Sequence, residues 1–184
     1  EEALLRDGEH IASLNALAMY HYRRCDFNKA LLYAKRCENA VCKYNSRPQS
    51  GKIFYSLGLI YLALNDLSKA YDYFYKASWN MDCYSAAMTQ LSAIDSKNNN
   101  FENMLLHSTN ALLYNQNNPI ASVYAAIAHI KLKNSASAED IIKKILSFDP
   151  LNHLARFIYF KLGKLSKANF YNALKSDMSQ TCLD

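Results

Sequence analysis

Glycine and proline are scarce in this chain, at 4 and 3 of 184 residues. With hydrophobic residues at 51%, that scarcity argues against a disordered chain and for a helical one, in which burial between neighbouring helices does most of the stabilising. The five cysteines (Cys25, Cys37, Cys42, Cys83, Cys182) include no C-x-x-C and no paired Cys/His spacing, so a structural zinc site is not expected. Their odd number argues against a disulfide framework. Free thiols in a reducing compartment, and hence the cytoplasm, are the favoured reading. No apolar run is long enough to span a bilayer. No signal peptide is visible, although the chain begins at Glu1 without Met and reads as a fragment. The formal charge of +5 is spread along the chain, whereas nucleic-acid binding asks for a basic patch or stripe. Chemistry-bearing motifs are also missing: there is no Gly-rich phosphate loop, no G-x-S-x-G, and no zinc-helix spacing among His10, His21, His107, His129 and His153. The sequence therefore predicts no catalytic residue, no metal and no cofactor.

What is present is a repeat, and the stretch from Gly51 to Asp82 carries it best. Phe54, Leu57, Gly58 and Tyr61 fill the slots of W-x2-L-G-x2-Y. Ala70 and Phe74 then fill A-x3-F, and Ala77 follows one turn later. The small residues at Gly58, Ala70 and Ala77 let helix backbones approach closely. The stretch resembles the tetratricopeptide repeat (TPR), a helix–turn–helix unit of about 34 residues.

The resemblance extends over nearly the whole chain. Residues 1–10 read as the tail of a preceding repeat and 11–44 as the first complete unit, with Leu14, Leu17, Ala18 and Ala30 in the equivalent slots. Residues 45–50 (NSRPQS) are an inserted loop, since Ala30 and Ala70 stand six residues beyond the period; insertions in such arrays map to one face, often the binding face. The second unit is 51–84. A degenerate third spans 85–118, a fourth 119–150, and a shortened fifth 151–176, in which LSKA recurs at Leu165 to Ala168. Residues 177–184 read as the start of a following helix. The expected fold is all-α: a right-handed superhelical array of antiparallel helix pairs, a TPR-like α-solenoid of about five units with partial helices at its ends.

More narrowly, Gly51 to Gly58, Ala70 to Asn80 and Asp149 to Arg156 resemble the TPR array of bacterial proteins that carry a large β-rich N-terminal domain similar to carbohydrate-active proteins. Two functions follow from these resemblances. One is a non-catalytic scaffold binding a peptide or protein segment, or another domain of the same full-length chain, in the concave groove of the superhelix. The alternative is an accessory TPR segment of a larger carbohydrate-active protein whose catalytic domain lies outside this chain.

TPR geometry projects a set of helix-A residues onto that groove: Asn15, Met19, Tyr22 and Arg23, then Tyr55, Leu59 and Leu62, then Thr89 and Lys97, then Val123, Ile127 and Lys131, and finally Phe157 and Lys161. Four of the last slots are basic (Arg23, Lys97, Lys131, Lys161). They suit an acidic peptide, or else simply oppose the dipoles of the helices they terminate. The Asn residues with which some TPR proteins clamp a terminal carboxylate are replaced by Met19, Leu59 and Ala93, which implies an apolar groove. The aromatic run Tyr71, Tyr73, Phe74, Tyr75 and Trp79 is expected in the core, with Tyr73 and Trp79 as alternative anchors for a partner. His21 and His129 share the Tyr61 slot and are expected between helices.

Overall fold

The computed structural model describes residues 2–43 and 48–172. The expectations for 177–184, for Cys182 and for part of the inserted loop lie outside the described residues. Ten helices have defined bounds: α1 (Glu2–Arg6), α2 (Ile11–Arg23), α3 (Phe27–Cys42), α4 (Lys52–Ala63), α5 (Leu67–Ala77), α6 (Tyr84–Lys97), α7 (Phe101–Tyr114), α8 (Pro119–Lys131), α9 (Ser135–Phe148) and α10 (His153–Lys161). Residues 167–172 are helical too, and the described residues contain no strand. The chain forms two compact bodies, Glu1–Ile94 and Asp95–Asp184.

Six of the helices start where a short polar side chain closes the first turn. Asp26, Asp66, Asn100, Asn118, Asn134 and Asn152 all accept a hydrogen bond from the backbone N–H three residues on, which satisfies a donor that has no intrahelical partner. Pro119 follows Asn118 at the start of α8, where its missing N–H costs nothing. The turn between paired helices is equally regular. The second residue after each first helix adopts positive φ, at Cys25, Asn65, Asn99, Lys133 and Gly163. These positions are separated by 40, 34, 34 and 30 residues, the same steps that alanine spacing shows in the sequence. Only the last of the five is glycine, the residue that takes this conformation without a Cβ penalty.

In the N-terminal body α2 packs on α3, α3 on α4, and α4 on α5. The contacts are made by fully buried small residues, Ala18, Ala30, Ala34, Ala70 and Ala77, around Leu14, Leu57, Ile60 and Phe74. In the C-terminal body α7 packs on α8, α8 on α9, and α9 on α10, around Val123, Ala126, Ile142, Ile145, Ala155 and Ile158.

The Tyr61 slot shows how the repeats diverge. Tyr61 stacks on Tyr73 at 5.3 Å, and His21 stacks in the same way on Tyr33 at 5.4 Å. The equivalent positions of the next repeat hold Asp95 and His107. There the Asp95 carboxylate accepts from His107 Nδ1 at 2.6 Å, with both side chains at least nine-tenths buried. His129 is half-buried.

The aromatic run divides. Tyr73 and Phe74 are core residues, whereas Tyr75 and Trp79 are 49% and 59% exposed. They lie on the outer side of α5 and just beyond its end, with their rings edge to face. The thiols divide as well: Cys37 and Cys83 are buried, and Cys25 and Cys42 are exposed.

Candidate functional site

A cavity of about 840 Å³ in the N-terminal body opens along the exposed side of α2. Helical periodicity puts Ala12, Asn15, Ala16 and Met19 on one face of that helix, and all four line the cavity. Ile53 and Lys52, in the first turn of α4, face them, and Cys37 and Val41 of α3 contribute apolar surface from behind. Pro48, Gln49 and Ser50, the described end of the inserted loop, complete the wall.

That loop end is fixed by the connection between α5 and α6. Asn80 Nδ2 donates to the Pro48 carbonyl at 2.8 Å. The Asp82 carboxylate accepts from Ser50 Oγ at 2.6 Å and from the Gly51 N–H at 3.1 Å. Asp82 thus terminates α4 from a distance, in place of a side-chain cap that Gly51 lacks. Burial raises the Asp82 carboxyl pKa, but the Ser50 and Gly51 hydrogen bonds outweigh it and hold the group below the usual carboxylate range. At the opposite end, Lys43 Nζ reaches Glu9 at 3.0 Å and Arg36 donates to the Gly8 carbonyl, which tie the segment before α2 onto α3.

The wall also carries polar residues, Asp7, Glu9, His10, Gln49, Ser50 and Lys52 among them, and Asn15 stands apart from these. Its Oδ1 is enclosed and has no hydrogen-bond partner, a deficit that costs about 1–3 kcal/mol. Cys37 Sγ donates to the Ile11 carbonyl at 3.4 Å, and burial pushes its thiol pKa up to about 11.

The projected groove residues fall into three groups. Asn15 and Met19 line the cavity. Tyr22, Tyr55, Leu59 and Leu62 are half-buried; the Tyr22 ring leans on Phe27 and the Tyr55 ring on Phe74. Burial raises the Tyr55 hydroxyl pKa against a hydrogen bond with Gln90. In the C-terminal body Ile127 is half-buried and Phe157 is 43% exposed. Val123 and Thr89 differ from the projection: they are 3% and 6% exposed. Val123 sits in an apolar cluster with Ile142 and Ile158, and Thr89 donates to the Ser85 carbonyl. Both support a surface from beneath.

The four basic slots, Arg23, Lys97, Lys131 and Lys161, all occupy the last turn of their helices and are exposed. Lys131 Nζ lies 5.6 Å from the centre of the Phe101 ring, and Lys161 Nζ lies 5.4 Å from that of Phe157. Within one body, each of those two ammonium groups therefore already has an aromatic face and a helix C-terminus.

Sequence reading did not single out Ala12, Ala16, Ile53 or Cys37 for the site. The first two were available from the three- and four-residue spacing around Asn15, whereas Ile53 and Cys37 come into reach only through the packing of α3 and α4. Among the described residues no group of three or more His, Cys, Asp or Glu is placed to hold a metal. No described helix is long and apolar enough to cross a membrane.

No protein-family profile and no curated protein matches the chain. Solved structures match it well. A crystal structure of MamA superposes with a TM-score of 0.68 at 16% identity, covering 79% of this chain and 82% of that one. A MamA structure from AMB-1 gives 0.67 at 13% identity over 94% of both chains. YrrB, described as a TPR protein with an unusual peptide-binding site, gives 0.66 at 16% identity, covering 83% of this chain and 76% of its own. The fold is the all-α, TPR-like helical solenoid.

Proposed function

We propose that this chain is a protein-interaction scaffold that takes an extended polypeptide segment into the cavity along α2. The observation that carries the reading is the cavity itself. Its apolar surface, contributed by Ala12, Ala16, Met19 and Ile53, suits side chains, and the polar groups of the same wall, Glu9, Gln49 and Lys52, suit the N–H and C=O groups of a partner's backbone. A polypeptide offers both at once. Peptide binding by YrrB, a protein of the same fold, is consistent with this. The C-terminal body separately presents Ile127, Lys131, Phe157 and Lys161 on α8 and α10, an apolar and basic set of a similar kind. We assign its lysines first to the ends of their own helices. The β-rich, carbohydrate-active setting has no support among the structural relatives.

The test is a peptide-display library panned on the protein and on Met19→Arg, with circular dichroism confirming that the variant folds. Peptides enriched on the wild type should lose binding to Met19→Arg. Peptides that bind both proteins equally would remove the cavity from the reading.

A further inference from the structure

A second cleft, of about 430 Å³, lies between α7 and α9 of the C-terminal body. Its walls are Leu112 and Leu113 of α7 against Ile141, Ile145 and Phe148 of α9. Leu113 is 74% exposed and Phe148 46%, so the rim as well as the floor is apolar. The hydroxyls that reach the cleft have partners: Ser122 Oγ donates to the Asn118 carbonyl and Thr109 Oγ1 to those of Leu105 and Leu106. The single ionisable residue in the lining is Lys144. Its neighbour Lys143 is engaged by Glu139 at 2.8 Å, but Lys144 has no ion-pair partner among the described residues.

The repeat provides an internal comparison. The same slots on α3 and α5 of the N-terminal body hold Lys35, Glu38 and Tyr73, and there the chain closes the cleft with its own side chains. Lys35 Nζ donates to Glu38 at 2.8 Å and also to the Tyr73 hydroxyl, which donates to Glu38 at 3.2 Å. At the corresponding positions the C-terminal body has Thr109, Leu112 and Ile141. The phenol that fills the cleft is replaced by a half-buried isoleucine, and the carboxylate by leucine. The Lys35–Glu38 ion pair is therefore lost as a whole, while Lys144 corresponds to Lys76, whose ammonium lies 5.0 Å from the centre of the Tyr73 ring. The C-terminal body thus keeps one lysine at the cleft and lacks the aromatic side chain against which its counterpart rests.

From this we propose that the α7–α9 cleft is a docking site, distinct from the cavity along α2, for a partner polypeptide that supplies the missing large apolar side chain and sets a carboxylate against Lys144, the one charge in the lining. The apolar contact provides most of the affinity, because exposed leucine and phenylalanine are removed from water. The carboxylate sets selectivity against neutral and basic segments.

The probe is a fluorescent amphipathic helical peptide with leucines on one face and glutamates flanking them, compared with two relatives in which the glutamates become lysines or the leucines become alanines. The acidic peptide should bind the full chain saturably. Leu113→Arg should weaken it at least about tenfold, Lys144→Glu should weaken it as well, and Lys144→Glu should bind the lysine peptide better than the wild type does. Both substitutions are at exposed positions, and thermal melting confirms that the variants fold. Met19→Arg should leave this binding unchanged, which separates failure here from failure of the α2 cavity. Equal binding of the acidic and lysine peptides, or indifference to Leu113→Arg, would overturn the proposal. So would a concentration-dependent dimer in light scattering that Leu113→Arg abolishes, because a second copy would then be the occupant.

Discussion

The ring of Phe74 lies 2.6 Å from the point that a Cβ on Gly58 would occupy. Phe74 and Gly58 are therefore one packing unit: the helix carrying the first sequence motif approaches so closely that only a residue without a side chain fits against the phenylalanine of the second. Gly58→Ala gains helix propensity, about 1 kcal/mol, but Phe74 is fully buried and cannot yield. Overpacking costs about 1–3 kcal/mol, so we expect net destabilisation. The urea midpoint should fall, and Phe74→Leu in the Gly58→Ala background should recover part of the loss.

The Asp95–His107 contact occupies the slot where Tyr61 and Tyr73 stack. Removing one member of a buried hydrogen-bonded pair deprives the other of that bond, at about 1–3 kcal/mol. His107→Leu and Asp95→Leu should each destabilise the protein. The double variant Asp95→Tyr/His107→Tyr, which restores the stacked arrangement of the preceding repeat, should unfold later than either. Three denaturation curves decide this. A double variant weaker than both singles would mean that the third repeat no longer accommodates an aromatic pair.

Asp82 makes stability depend on pH. Its folded-state pKa is depressed, so the unfolded chain takes up the proton first. The stabilisation is present above the unfolded value, about 4, and is lost as pH falls through the lower folded value. Asp26 and Asp66, whose carboxylates cap α3 and α5, are depressed too and act in the same direction. Asp82→Asn should lower stability at pH 6 and reduce the further loss between pH 5 and pH 3, as read from urea midpoints across that range.

Thiol labelling reads the packing of α2 on α3. Burial raises the thiols of Cys37 and Cys83 to about 11. At pH 8 very little thiolate is present at either, and only the thiolate reacts. Iodoacetamide followed by peptide mapping should label the exposed Cys25 well before Cys37 or Cys83. Early labelling of Cys37 would mean that the wall of the α2 cavity opens readily.

The helix pairs were legible because their signals are local. Alanine spacing gave the 40-, 34- and 30-residue steps, and the Asp or Asn caps and positive-φ turns fall on the same steps. The site was only partly legible. Asn15 and Met19 emerged from the slot pattern, but Val123 did not behave as its slot implied, because the neighbouring α9 and α10 bury it. The open α7–α9 cleft is invisible to periodicity: Leu112 and Ile141 are unremarkable in a helix, and their meaning appears only beside Glu38 and Tyr73 in the earlier repeat.

Asn15 separates function from stability more cleanly than any other residue of the cavity. Its enclosed Oδ1 has no partner, so removing it relieves an uncompensated polar burial. Asn15→Ala gains helix propensity as well, up to about 0.7 kcal/mol. The expected melting temperature is therefore unchanged or higher. The enclosed oxygen is out of a partner's reach, so the affinity of a polypeptide seated against Met19 and Ile53 should be unchanged. Calorimetric titration with a library-selected peptide, set beside thermal melting of the same two proteins, measures both quantities. A variant that melts earlier would show that Asn15 is there to hold the fold.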